Sequence, residues 1–261
     1  MPALLPTLAS HYHPLLSLYA GLGIIALSLL ARAAFRLVPV MREAQDLNAA
    51  TFREKMTRPH YAANQAWNRR WSLLFLVVIF GGILPFCLTA APQPWWRLPR
   101  DGFVILMVYD FVYYLTHRFV FHDSAGIKGP LMWMHAVHHR QHNPCRWDAS
   151  YIHPLEVAIG LGLYVLTIFV LARVLGAFQV PTIVLTWFAF TEINLHNHDL
   201  WEVDRFPFRT MATMARMHHN HHASFTGGNY ATISLLYDWM FGTLDHGDGA
   251  VKRHRAPARP G

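Results

Sequence analysis

The chemistry in this sequence is concentrated in its histidines. Thirteen of the 18 fall between residues 117 and 222, and they come in groups. His135-Ala-Val-His138-His139 and His218-His219-Asn220-His221-His222 share the spacing i, i+3, i+4. On a helix that spacing puts three imidazoles on one face. His117 and His122 form a pair upstream, and His153 and His196 lie between the triplets. Neutral imidazole suits zinc, iron, copper and nickel. A closed zinc site takes four ligands, whereas the pair and the triplets supply eight nitrogens, enough for two metals. Acidic residues are sparse around them, unlike the carboxylate-rich di-iron bundles. The HExxH motif of zinc proteases is absent. A bis-histidine haem protein would place single histidines on facing spans. The candidate ligands are therefore His117, His122, His135, His138, His139, His218, His221 and His222, with His153 and His196 as further candidates. His219 falls about 100° around the helix from His218 and is expected to point away. Asn143-Pro144 ends the helix after His142, which is expected beside the ligands at most. His11, His13, His60, His246 and His254 read as solvated.

These residues must be held by a membrane protein. Of the 261 residues 53% are hydrophobic and only 14% charged, and mean hydropathy is +0.20. A soluble domain carries nearer a quarter charged residues. Apolar windows predict spans at 14–31 and 71–91, both uncharged, a short one at 102–116 that carries Asp110, and one at 155–175, with a fifth apolar segment at 182–195. The reading is an all-α integral membrane protein with four to five transmembrane or re-entrant helices and a histidine-rich helical cap. Residues 1–101 read as an anchor, 102–245 as the region that bears the clustered histidines, and 246–261 as a basic, Pro-containing tail expected to be disordered. No Lys or Arg precedes the first apolar stretch, so no secretory signal is expected. Cys87 and Cys145 supply no disulfide framework.

Charge orients the layout. Of 22 Lys and Arg, all but Arg97, Arg100 and Arg173 fall on the face that carries the histidines. The positive-inside rule predicts that face to be cytoplasmic. The same rule accounts for the net charge of +7, and a nucleic-acid partner is not expected.

The surrounding residues add a resemblance. His117–His122, His135–His138–His139 and His218–His221–His222 resemble the three histidine boxes of the membrane fatty acid hydroxylase and sterol desaturase superfamily. Asp110-Phe111, Tyr114 and His117-Arg118 are similar to its DFxxYWxHRxxH entry, and His153-Pro154-Leu155-Glu156 to its HPLE element. The stretch from His218 to Thr243, with Gly228-Asn229-Tyr230 and Phe241-Gly242-Thr243, is similar to the end of the 4-methylsterol oxidase branch. Two places depart from the pattern. Tyr237-Asp238-Trp239 stands where the family has Trp-Asp-Arg. His196-Asn197-His198 stands where it has His-x-Asn, so either His196 alone or His198 as well approaches the metals.

The resemblance implies two irons, dioxygen, and electrons from a separate redox protein. The implied reaction is hydroxylation or desaturation of a C–H bond in a membrane lipid, such as a sterol or an acyl chain. Zinc could replace iron in a purified sample, since it outcompetes ferrous iron at nitrogen sites. The alternative is a non-catalytic or hydrolytic zinc protein using the same cage. Asp110, Asp148, Glu156 and Asp238 are candidates to fix the imidazole tautomers from behind. The lipid is expected to enter by an apolar tunnel lined by Tyr109–Leu115 and the helices of residues 155–195.

Overall fold

Proline sets where most of the long helices begin. The computed structural model describes residues 11–201 and 203–247. Its helices are α1 (Pro14–Phe35), α2 (Pro39–Met56), α3 (Pro59–Val78), α4 (Arg97–Thr116), α5 (Met132–His135), α6 (Pro154–Leu175), α7 (Val180–Asn197), α8 (Arg209–Ala223) and α9 (Leu236–Met240). In α1, α2, α3 and α6 proline is the first helical residue, and in α7 it is the second. There its missing N–H would have had no partner anyway, and its fixed φ suits the helix. The described residues contain no β-strand, only the isolated bridges Leu88–Phe178 and Ser124–Ile127.

Four segments are long and apolar enough to cross a membrane: Pro14–Phe35, Pro59–Cys87, Arg97–Phe121 and Pro154–Leu175. Their outer faces expose Leu22, Leu29 and Leu30 of α1, Val77 of α3 and Val174 of α6. In water so much exposed apolar surface would drive association; against hydrocarbon it is the matching face. The chain is thus an all-α integral membrane protein. α7, the fifth apolar segment, packs against α1 and α4.

Two span boundaries differ from the sequence reading. The second span starts at Pro59, well before Trp71. Its polar opening turns dock on protein rather than lie in water. Tyr61 donates to Asp148 Oδ1 at 2.6 Å, Asn64 to the Ile152 carbonyl at 3.1 Å, and buried Lys55 of α2 pairs with Asp148. Beyond Val78 the helix widens into a π-helical turn over Ile79–Ile83, which contains Gly81-Gly82, and tightens over Leu84–Cys87 around Pro85. The third span runs from Arg97 to Phe121, longer at both ends than 102–116. Of the tail 246–261, expected to be disordered, residues 248–261 lie outside the described residues.

The ends of the bundle are distinct. At one end His13 N–H donates to the Pro85 carbonyl at 3.0 Å, and Arg97 Nη2 to the Leu175 carbonyl at 2.8 Å. The nine clustered histidines gather at the other end. Between them the route expected for a tunnel is filled by packed rings. Tyr109 lies 5.5 Å from Tyr164 and 5.2 Å from Phe190, and Tyr164 stacks on Phe190 at 4.3 Å. A cavity of about 470 Å³ lies instead among α1, α2, α7 and α8.

Candidate metal centre

Three kinds of local structure deliver the histidines. The last turn of the third span is π-helical over His117–Phe121, which carries His117 inward and leaves His122 as its cap. The segment between Pro130 and Pro144 is too confined for the regular helix expected there: α5 stops at His135, and His138–Arg140 forms a separate 3-10 turn. Only the last triplet is helical as expected, on α8.

Together they build two clusters. His117, His122, His135, His139 and His221 form one; His138, His198, His218 and His222 form the other. Within each, one ring nitrogen per residue lies within 4.8 Å of the rest, and all nine side chains are buried. Each triplet is divided between the clusters, so losing one box would damage both.

The hydrogen-bond pattern says what the clusters can hold. His117 Nδ1 donates to the Tyr230 carbonyl at 2.7 Å, His122 Nδ1 to Phe225 at 2.8 Å, and His221 Nδ1 to Gly228 at 2.8 Å. His135 Nδ1 donates to Glu156 Oε1 at 2.7 Å. In the second cluster His138 Nδ1 donates to Tyr151 at 3.3 Å and His198 Nδ1 to Asn194 at 2.8 Å. A carbonyl only accepts, so these rings carry their proton on Nδ1 and a lone pair on Nε2. Yet the Nε2 atoms face one another. They are 3.0 Å apart in His117–His135 and 3.1 Å in His138–His198. Two lone pairs at that range repel; a cation between them turns repulsion into coordination. Buried His122 Nε2 also lacks a partner among the described residues.

Burial keeps these rings in the coordinating form. It pushes the imidazoles of His122 and His138 down to about 4. Burial and neighbouring imidazoles push His135, His139, His198, His218 and His222 down as well. Neutral, convergent nitrogens fit two borderline transition-metal ions.

The four candidate carboxylates act in different ways. Only Glu156 touches a clustered histidine. Replacing it with glutamine is expected to lower metal affinity about 10–100-fold, the usual cost of losing such a partner; titration of bound metal checks this. Asp110 and Asp238 instead hold backbone. Asp238 accepts from the N–H groups of Tyr230 and Ala231, and Asp110 from Thr232, Ile233 and Ser234, all at 2.8–3.1 Å. Those five consecutive donors fix the loop that aims the Tyr230 carbonyl at His117. Asp148 accepts from Lys55, Tyr61 and Cys145 N–H, tying α2 and α3 to the loop whose Tyr151 carbonyl meets His138. Gly228 supplies the carbonyl for His221, and a Cβ there would sit 1.7 Å from the Thr243 carbonyl oxygen. Gly228→Ala is expected to lower thermal stability and metal content together, measured by unfolding and by metal analysis.

The pattern of the fatty acid hydroxylase family matches residues 102–243, more than half of the chain. The chain belongs to the fatty acid hydroxylase family. Relatives include methylsterol monooxygenase 1 of Rattus norvegicus, 29% identical over 159 residues, 58% of this chain and 51% of that protein. Methylsterol monooxygenase 2-2 of Arabidopsis thaliana is 26% identical over 163 residues, 58% of this chain and 55% of that protein. The very-long-chain aldehyde decarbonylase GL1-8 of Oryza sativa subsp. indica is 25% identical over 167 residues, with the same coverage, 58% and 55%. The chain thus spans about half the length of the relatives it matches. No solved structure matches it.

Of the ten histidines that the sequence of this fatty acid hydroxylase family member nominates, the structure brings eight into the clusters. His153 and His196 stay out. His153 caps α6, its Nδ1 accepting from Leu155 N–H at 3.2 Å, with its ring against Trp67 and Trp133. His196 is turned to Asp199, 3.0 Å from Nδ1, and to the Met211 carbonyl, 2.9 Å from Nε2. The residue that joins the eight is His198, at the end of α7. His219 is in neither cluster, and burial pushes its imidazole down to about 4. His142 is exposed and also in neither.

Proposed function

We propose that this chain is an oxygen-dependent lipid hydroxylase or desaturase, with one iron held by His117, His122, His135, His139 and His221 and a second by His138, His198, His218 and His222. The observation that carries the reading is the pair of convergent Nε2 sets, with the Nδ1 atoms of six of the nine rings committed to carbonyls or to Glu156. When bound, the metals would supply the oxidising power needed to attack an unactivated C–H bond with dioxygen, using two electrons from a separate donor protein.

The chain's own part is to bind, orient and insulate. Nine buried imidazoles bring no negative charge, so the centre stays strongly cationic. Glu156 and the carbonyls of Tyr230, Phe225, Gly228, Tyr151 and Asn194 hold six of the nine rings in one tautomer. Asp110 and Asp238 hold the loop that presents the Tyr230 carbonyl, and Asp148 the one that presents that of Tyr151. We assign the histidine end to the cytoplasmic side on the distribution of Lys and Arg, where a soluble electron donor can dock while the lipid stays in the bilayer.

The test pairs metal analysis with product analysis. Protein purified with iron should carry two metals per chain. Cells with the protein should contain an oxidised lipid that cells with a His221→Ala variant lack, by comparative lipid mass spectrometry. One metal per chain, or an unchanged lipid profile with a matched donor present, would overturn the reading. Zinc in the preparation decides nothing, because it competes well for nitrogen sites.

A further inference from the structure

The cavity among α1, α2, α7 and α8 has an apolar body and a polar end. Phe35 of α1, Ala49 of α2 and Met214 of α8 are among its apolar walls. At the polar end Arg146 pairs with Glu192 and, at 3.0 Å, with Asp199 Oδ2, which also faces His196 Nδ1 at 3.0 Å. Two acceptors are left over. Asp199 Oδ1 and Gln45 Oε1 are buried without a hydrogen-bond partner among the described residues, and both residues line the cavity. Asp199 is only 7% exposed. Leaving a buried acceptor unmet is costly, and a charged one more so.

We propose that this cavity binds a lipid-sized molecule whose polar end is a hydroxyl group, donating to Asp199 Oδ1. At about 470 Å³ the space suits a small lipid. The head follows from charge and from donor count. Arg146 is already shared between two carboxylates, so that cluster is net negative, and Arg32 stands exposed at the rim. A carboxylate or phosphate head would meet like charge and bring no donor; a hydroxyl brings the missing donor without charge. Placement ties the cavity to the metal centre. Asp199 directly follows His198, and Met214, one turn before His218, lines both this cavity and the narrow cleft that His218 borders. Carbons close to the hydroxyl are therefore those presented to the second cluster. That last step rests on the oxidase reading; the binding does not. The walls from α1 and α2 lie outside the matched residues 102–243, which gives the N-terminal region a part in specificity.

The experiment is equilibrium binding of radiolabelled hexadecanol, cholesterol and palmitic acid to the purified full-length chain in detergent. At least one alcohol should bind about tenfold or more tighter than palmitic acid, the worth of one hydrogen bond to a charged group. Ala49→Phe, which fills the cavity without touching the polar cluster, should abolish alcohol binding. Asp199→Asn, which removes the charge and adds a donor, should bring the alcohol-to-acid ratio close to one. Equal affinity for alcohols and palmitic acid, or alcohol binding indifferent to Ala49→Phe, would overturn the proposal. If Asp199→Asn fails to fold, the other two comparisons still decide it. The ratio of cholesterol to hexadecanol reports a ring or chain body. Selective alcohol binding by a protein that forms no oxidised lipid would refute the oxidase reading and leave this site standing.

Discussion

Replacing His138 with alanine is expected to abolish product formation, lowering it by more than about 100-fold, while the chain still inserts in the membrane. Losing a partner behind a metal ligand costs about 10–100-fold, and losing the ligand itself costs more. His138 sits where the argument for coordination is tightest. Its Nδ1 donates to the Tyr151 carbonyl, and its Nε2 lies 3.1 Å from that of His198. His138 is buried in the turn His138–Arg140, which belongs to none of the four apolar spans, so alanine leaves a polar hole without changing a span's sequence. Metal content should fall from two ions per chain towards one, because the cluster that keeps His117, His122, His135, His139 and His221 is intact. His60→Ala is the matched control: His60 is exposed in the first turn of α3 and in neither cluster, so activity and metal content should not change. Product formation retained in His138→Ala, with His60→Ala unchanged, would remove His138 from the ligand set.

How far the sequence could be read depended on whether a signal was local. The fourth span was legible to within a residue because Pro154 starts it and the run to Leu175 is charged only near its ends, at Glu156 and Arg173. The second was not, because its first turns are polar. Tyr61, Asn64 and Asn68 look like a solvated connection until Asp148 and the Ile152 carbonyl, far along the chain, are placed beside them. The histidine boxes were legible as metal-binding text, but their partition was not. Spacing i, i+3, i+4 implies one shared face, yet the regular helix α8 sends His221 to one cluster and His218 and His222 to the other. The first triplet unwinds after His135 and sends His138 to the second cluster. His196 offered a sharper clue. Asp199 three residues on supplies a partner one turn away, which frees His198, turned to Asn194 four residues back, for the cluster. His153, just before a proline-started helix, had the position of a cap.

Removing the metals is expected to loosen the histidine end while the spans hold. Each cluster sets lone pairs about 3 Å apart in a buried site, so it is stable only with a cation between them. A ligand that binds the folded state at 1,000 times its dissociation constant stabilises it by about 4 kcal/mol. For a chain of this size that corresponds to a fall of roughly 8–16 °C in melting temperature on chelation. The change should be local. Hydrogen exchange should rise over α8 and over residues 228–235, whose backbone is ordered by Asp110, Asp238 and the contacts to His117 and His221. It should stay low in α4 and α6, whose buried Ile105, Tyr164 and Ile168 belong to the separate apolar core. Acid should deepen the effect, and the sign is fixed. His122 and His138 are held near 4 in the fold, against about 6.5 in an unfolded chain. The unfolded state therefore takes up protons first, and stability falls as pH drops from about 6.5 towards 4. Metal-free protein whose α8 exchanges no faster than the loaded form would mean that the imidazoles are held by packing alone. The convergence of their Nε2 atoms would then have no claim to be a metal site.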